Sequence, residues 1–290
     1  MDRTVGIIGL GIMGGAIAAN LLERGWIVLG YDVLPERMDT LRGHGFEPMQ
    51  DVVHLAGHAP IILTSLPTPT AARQVAAEIA ASDAPSRVVA EMSTFALADK
   101  LAIKTTLEAA AHVPLDCPLS GTGAQAKMRD LIVYASGDSA AIARCQTVFA
   151  DFAKQTTDLG VYGNGSKMKF IANLLVAIHN VAAAEAMALA TRAGLDPERV
   201  VEVVGPGAGG SRMFQMRAPM MASGVYEPPT MRISMWQKDM DIIAEFARGL
   251  DASTPLFAET APIYAKALAM GLGDKDTASV YEVLTRSAQD

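Results

Sequence analysis

Three glycines, Gly9, Gly11 and Gly14, stand between the β-branched run Val5-Gly6-Ile7-Ile8 and the helix-like stretch GAIAANLLERG. That order constrains the fold more than any other feature of the chain. Gly9 permits a tight strand-to-helix turn, Gly11 lets a phosphate approach the backbone, and Gly14 lets helix and strand pack closely. The unpaired N–H groups opening the helix complete an anion cradle. The segment Gly9, Leu10, Gly11, Ile12, Met13 and Gly14 is therefore read as a dinucleotide-binding loop. The next strand-like run, WIVLGY, ends in Asp32, about 20 residues beyond the loop, where such folds place the acid that receives the adenosine ribose hydroxyls. A carboxylate there repels a 2′-phosphate, so NAD is expected as cofactor and NADP is less favoured. Arg37 lies close enough in sequence to swing toward a phosphate.

The first half alternates apolar runs (VGIIGL, WIVLGYD, APIILTSL, SRVVAEMS, VPLDCPLS and DLIVYASG) with helical periodicity, the pattern of a doubly wound parallel sheet. Beyond Gly160 long Ala-, Leu- and Met-rich stretches follow, without a convincing strand. The fold class expected is α/β: a Rossmann-type parallel sheet domain over residues 1–162, then an all-α domain over residues 163–290 for substrate binding and oligomerisation. The stretch Phe170 to Ala190 is apolar enough to mimic a membrane span, but Asn173, His179, Asn180 and Glu185 interrupt it. It is read as a buried helix.

A formal charge of −7 gives no broad positive field for nucleic acid or an anionic membrane, so an anionic ligand needs a local device. Cys117 and Cys145 do not have metal-ligand spacing, and His54 and His58 lack the further ligands a metal site needs. No metal is expected, Cys117 is read as packing, and the cytoplasm is the expected compartment.

Five blocks carry a resemblance over nearly the whole chain. They are IIGLGIMG, MST at Met92 to Thr94, DCPLSG at Asp116 to Gly121, GNGSKMKFIAN at Gly163 to Asn173, and QKD at Gln237 to Asp239. In that order they resemble the β-hydroxyacid dehydrogenase family, which includes 3-hydroxyisobutyrate dehydrogenase, tartronate semialdehyde reductase and the threonate dehydrogenases, with 6-phosphogluconate dehydrogenase as a larger relative. The resemblance implies hydride transfer between NAD and the 3-hydroxyl carbon of a small hydroxy acid, or the corresponding semialdehyde, in a homodimer or homotetramer. It implies that Lys169 is the catalytic acid/base and that Asn173 binds substrate. Spacing alone leaves Lys167 and Lys169 as equal candidates, but Lys169 and Asn173 share a helix face at i and i+4.

The resemblance further implies that Ser120 and Gly121 hold the substrate carboxylate. Thr122 is carried as a substrate-side residue, although it stands where the family usually has glycine, and Arg129 and Asp130 replace small residues after it. Leu66, Pro67, Thr94 and Lys238 match cofactor-side positions. Two rival readings are an imine reductase, whose members commonly carry Asp or Tyr at the position of Lys169, and a non-catalytic dinucleotide sensor. The joint presence of Ser120, Lys169, Asn173 and Lys238 favours chemistry.

Overall fold

The computed structural model describes residues 3–286. The chain divides into two compact units, one running to Lys169 and the other from Phe170. This division falls inside a helix, because that helix begins on the strands of the first unit.

The first unit holds β1 (Thr4–Ile8), β2 (Ile27–Tyr31), β3 (Phe46–Pro48), β4 (Ile61–Thr64), β5 (Val88–Glu91), β6 (Val113–Asp116), β7 (Leu119–Ser120), β8 (Ile132–Gly137) and β9 (Gln155–Asp158). Its helices are α1 (Ile12–Glu23), α2 (Pro35–Asp39), α3 (Val52–His58), α4 (Pro69–Ala80), α5 (Leu97–Ala109), α6 (Gly123–Lys127) and α7 (Ser139–Ala150). Strand order is β3-β2-β1-β4-β5-β6-β8-β7, with β9 beside β8. The strands from β3 to β6 pair in parallel. The apolar runs of β1, β2, β4, β5 and β6 are buried between helices on the two faces of the sheet, which is why they read as continuous rather than alternating patterns. The order reverses between β1 and β4, and ligands of open α/β sheets bind at such a switch, outside the carboxyl ends of the strands.

Three features depart from the sequence pattern. Pro118 interrupts VPLDCPLS, giving β6 and β7 as separate strands. Both pair antiparallel with β8, because the short segment between β7 and β8 lacks the dozen or so residues of a parallel crossover and β6 runs on into β7 through only Cys117 and Pro118. Neither β3 nor β9 announces itself: β3 is very short, and β9, QTTD, has no buried residue, so neither carries an apolar period. Cys117 and Cys145 are free and buried, and burial pushes the Cys145 thiol up to about 12.

Helix α8 (Asn164–Arg192) joins the units. The second unit continues with α9 (Pro197–Val204), α10 (Arg212–Ser223), α11 (Ile233–Gly249), α12 (Pro255–Ala269) and α13 (Val280–Arg286), preceded by a 3-10 turn at Thr277–Ser279. Among its described residues the only β pairing is an isolated bridge between Arg232 and Asp276. Its core gathers Phe170, Ala177, Val181, Met187, Trp236 and Tyr264. Helix α8 is long and apolar enough to cross a membrane, yet only 39% of its most apolar window is buried within the chain. It is thus half-buried rather than enclosed: Met168, Ile171, Leu175 and Leu189 stand exposed.

Candidate active site

The dinucleotide loop has the geometry its glycines require. Gly9 lies at φ +89°, and a Cβ there would meet the Ser65 carbonyl oxygen at 2.3 Å. At Gly14 a Cβ would sit 1.9 Å from the Gly9 carbonyl oxygen, so the start of α1 closes directly on the turn. The space beside Gly11 is open, with only Arg37 Nη1 at 3.8 Å from a Cβ placed there. A tight inner turn with an open outer face, at the end of β1, fits a pyrophosphate. Leu10 and Met13 face inward while Ile12 is exposed, and a Cβ on Gly123 would meet Ile12 Cγ2 at 2.4 Å.

Asp32 is buried at the end of β2. Its carboxylate accepts the Leu10 N–H at 2.7 Å and the Leu34 N–H at 2.9 Å, and Arg37 Nη1 reaches it at 3.2 Å. Arg37 Nη1 also reaches Oδ1 at 3.4 Å, so these contacts take up the carboxylate's four or so acceptor directions, and a departing Arg37 frees the place for ribose hydroxyls. Leu66 and exposed Pro67 follow β4, and Thr94 follows β5. Ser93 ties the two loops together, its Oγ accepting the Leu66 N–H at 2.9 Å while its N–H donates to Glu91 Oε1 at 2.9 Å.

Ser120 ends β7, and Gly121 follows at φ +135°. Thr122 is the N-cap of α6, forming a capping box with Gln125, so its hydroxyl serves the turn. The charged residues Arg129 and Asp130 that follow have partners of their own. Asp130 accepts Gln125 Nε2 at 2.9 Å and Lys154 Nζ at 2.5 Å, while Arg129 approaches Glu23 at 3.7 Å. Through Gln125 and Lys154, Asp130 ties this loop to α6 and to the segment before β9.

The start of α8 is bonded to the sheet. The Gly165 N–H donates to Ser136 Oγ at 2.9 Å, the Ser166 N–H to Asp116 Oδ2 at 2.7 Å, and Ser166 Oγ to Asp116 Oδ1 at 2.8 Å. A Cβ at Gly165 would lie 2.3 Å from the Tyr134 carbonyl oxygen and 2.7 Å from that of Asp116, so only glycine allows this approach. Behind Asp116 lies a cluster that sequence reasoning missed. Lys100 Nζ is 3.0 Å from Asp116 Oδ1 and also pairs with Glu91 Oε2, and all three side chains are nearly inaccessible. Burial by itself lowers the Lys100 pKa, but Glu91 and Asp116 together outweigh it and hold it above the ordinary 10.5. In sequence Lys100 looks like any helix lysine; the one available signal was that Glu91 and Asp116 both end apolar strands.

Lys169 is half-buried on α8, and Asn173, on the same helix, is buried. Within the second unit Asn173 Nδ2 donates to Asp239 Oδ2 at 3.0 Å, and Lys238 Nζ lies 3.5 Å from Asp239 Oδ1. Asp239 thus brings together Asn173 and Lys238, two of the expected site residues. The QKD block contained it, but a carboxylate next to a lysine reads as ordinary helix surface.

Comparison with known proteins decides the family. The NAD binding domain of 6-phosphogluconate dehydrogenase matches residues 4–161, and the domain described as NAD-binding of NADP-dependent 3-hydroxyisobutyrate dehydrogenase matches residues 163–284. The L-threonate dehydrogenase of Cupriavidus necator is 31% identical over 98% of this chain and 96% of its own. The chain belongs to the β-hydroxyacid dehydrogenase family. Two solved structures of the family agree with it along the chain. The 3-hydroxyisobutyrate dehydrogenase of Mycobacterium tuberculosis, determined with L-serine, superposes with a TM-score of 0.89 at 26% identity, covering 98% of this chain and 99% of that one. The 3-hydroxyisobutyrate dehydrogenase of Salmonella typhimurium gives 0.85 at 30% identity, covering 97% and 99%. As an NAD(P)-dependent β-hydroxyacid dehydrogenase, this chain moves a hydride between the cofactor and a small 3-hydroxy acid.

Proposed function

We propose that the enzyme is an NAD-preferring dehydrogenase of a small, polar 3-hydroxy acid, with Lys169 as its acid/base. The observation that carries the cofactor preference is the buried Asp32 carboxylate at the end of β2, both of whose oxygens a departing Arg37 would open to ribose hydroxyls. When bound, NAD supplies the hydride acceptor. In oxidation, neutral Lys169 takes the proton of the substrate hydroxyl; in reduction it returns it. Asn173, oriented by Asp239, hydrogen-bonds the substrate. Ser120 and the backbone at Gly121 receive the carboxylate, which suits a protein with no positive field to attract it. Leu66, Pro67, Thr94 and Lys238 serve the cofactor.

The relatives named for L-threonate and 3-hydroxyisobutyrate, and the family structure holding L-serine, set the substrate class to screen. NADH formation is measured with threonate, 3-hydroxyisobutyrate, glycerate, serine and 3-hydroxypropionate, then repeated with NADP. At least one acid is expected to turn over, with kcat/KM about tenfold or more higher for NAD, and Asp32→Ser is expected to narrow that gap. No turnover with any of the acids, combined with tight NADH binding, would favour a sensor. Equal use of both cofactors would end the proposed preference.

The same reading includes assembly in the cytoplasm as a homodimer or homotetramer. The exposed residues Met168, Ile171, Leu175 and Leu189 follow a helical stripe along α8, an apolar face of the kind that another subunit covers. Sedimentation of detergent-free protein is expected to give a multiple of the chain mass; a monomer at micromolar concentration would remove this part.

A further inference from the structure

Resting on the reading of Lys169 as the acid/base, we propose that Asp116 is a positioning residue for its amine, acting through Ser166 and the first turn of α8. A helix's first N–H groups have no partner within the helix, so its opening turn frays unless something outside receives them. Here three of them are received at defined points. The Asn164 N–H donates to the Val161 carbonyl at 3.1 Å, the Gly165 N–H to Ser136 Oγ, and the Ser166 N–H to Asp116. Asp116 grips Ser166 twice, through its N–H and its hydroxyl, one oxygen to each. Lys169 stands one helical turn later, so the azimuth and depth of its amine follow from where Ser166 is held.

The carboxylate is itself held from behind. Lys100 pairs with Asp116 Oδ1 and with Glu91, and Ser136 Oγ reaches both the backbone carbonyl of Asp116 at 3.2 Å and its Oδ2 at 3.4 Å. The positive end of the α8 dipole faces the same carboxylate and offsets the surplus negative charge of the cluster. Burying three charged groups is not needed for stability, since well-packed apolar side chains do as well or better. A rigid, doubly accepting group at the base of the helix is what the apolar alternative lacks. Proton transfer needs that rigidity, because a displacement of about 1 Å costs on the order of 100-fold in rate.

The test uses the full-length chain and the variants Ser166→Ala, Asp116→Asn and Lys169→Ala, with Ser166→Ala also placed in the Lys169→Ala background. Turnover is followed with the most active acid of the five screened above, NADH binding by fluorescence titration, and deuterium uptake in peptides spanning residues 163–170. Ser166→Ala and Asp116→Asn are expected to lower kcat by about 10- to 100-fold while KM and NADH affinity stay within about twofold. Uptake in 163–170 should quicken while the strands of the first unit keep their protection. In the Lys169→Ala background, Ser166→Ala should cost nothing further, because no amine is left to position. If Asp116→Asn does not fold, Ser166→Ala decides alone. Unchanged kcat in Ser166→Ala with Lys169→Ala inactive overturns the positioning role and leaves the acid/base reading intact. An equal loss in both backgrounds also overturns it. Near-normal turnover of Lys169→Ala itself sinks the acid/base reading, and this proposal with it.

Discussion

Lys169→Ala is expected to lower kcat by about 10²- to 10⁴-fold, the range associated with removing a positioned acid/base. The cofactor loop, Asp32 and the loops after β4 and β5 lie elsewhere in the chain, so NADH affinity should change little. Loss of an interaction made only in the transition state lowers kcat and kcat/KM together, whereas loss of binding shared equally by ground and transition states raises KM alone. Steady-state kinetics beside NADH titration separates the two cases. Small primary amines added to Lys169→Ala should restore part of the rate, since they replace the missing base. A variant that keeps its rate would transfer the role to another group, Lys167 being the nearest.

Lys100→Met is expected to destabilise the first unit by about 3–5 kcal/mol, the cost of leaving buried charge without its partner. At a few degrees per kcal/mol for a unit of this size, its Tm should fall by about 10 °C. Glu91 and Asp116 would then face each other in a dry interior. Adding Glu91→Gln should recover part of the loss, because only one carboxylate then remains uncompensated. The pH dependence follows from the raised Lys100 pKa, in which two carboxylates overcome the effect of burial. Folding contributes this stability in full below the unfolded lysine value of 10.5. It is lost as pH rises through the higher folded value. Wild-type Tm should therefore drop in that alkaline window more steeply than that of Lys100→Met. Thermal unfolding from pH 7 upward checks both effects, and parallel curves would contradict the charged state assigned to Lys100.

The differing legibility of the site's parts follows from the range of the forces that make them. The Gly9, Gly11 and Gly14 turn is steric and local, so its residues declare it; the clash a Cβ on Gly14 would make with Gly9 is between positions already close in sequence. Asp32 was legible because one strand–helix–strand unit fixes its separation from the loop. That Thr122 caps α6 follows from its own neighbours, because a threonine followed three residues later by glutamine is a local capping pattern. Lys100, by contrast, carries no local mark: the same AlaAspLysLeu stretch would serve on a solvated helix. Only the packing of α5 over β5 and β6 turns it into a buried cation.

Apolar periodicity and three spaced glycines were sufficient to determine a parallel dinucleotide-binding unit followed by helices, because backbone sterics and burial act over a few residues. Tertiary structure alone decided that Asp116 and Ser166 meet, that Asp239 joins Asn173 to Lys238, and that β6 and β7 run against β8. Hydrogen bonds and ion pairs are short-ranged in space but indifferent to distance along the chain, so their partners become definite only when the fold brings them together.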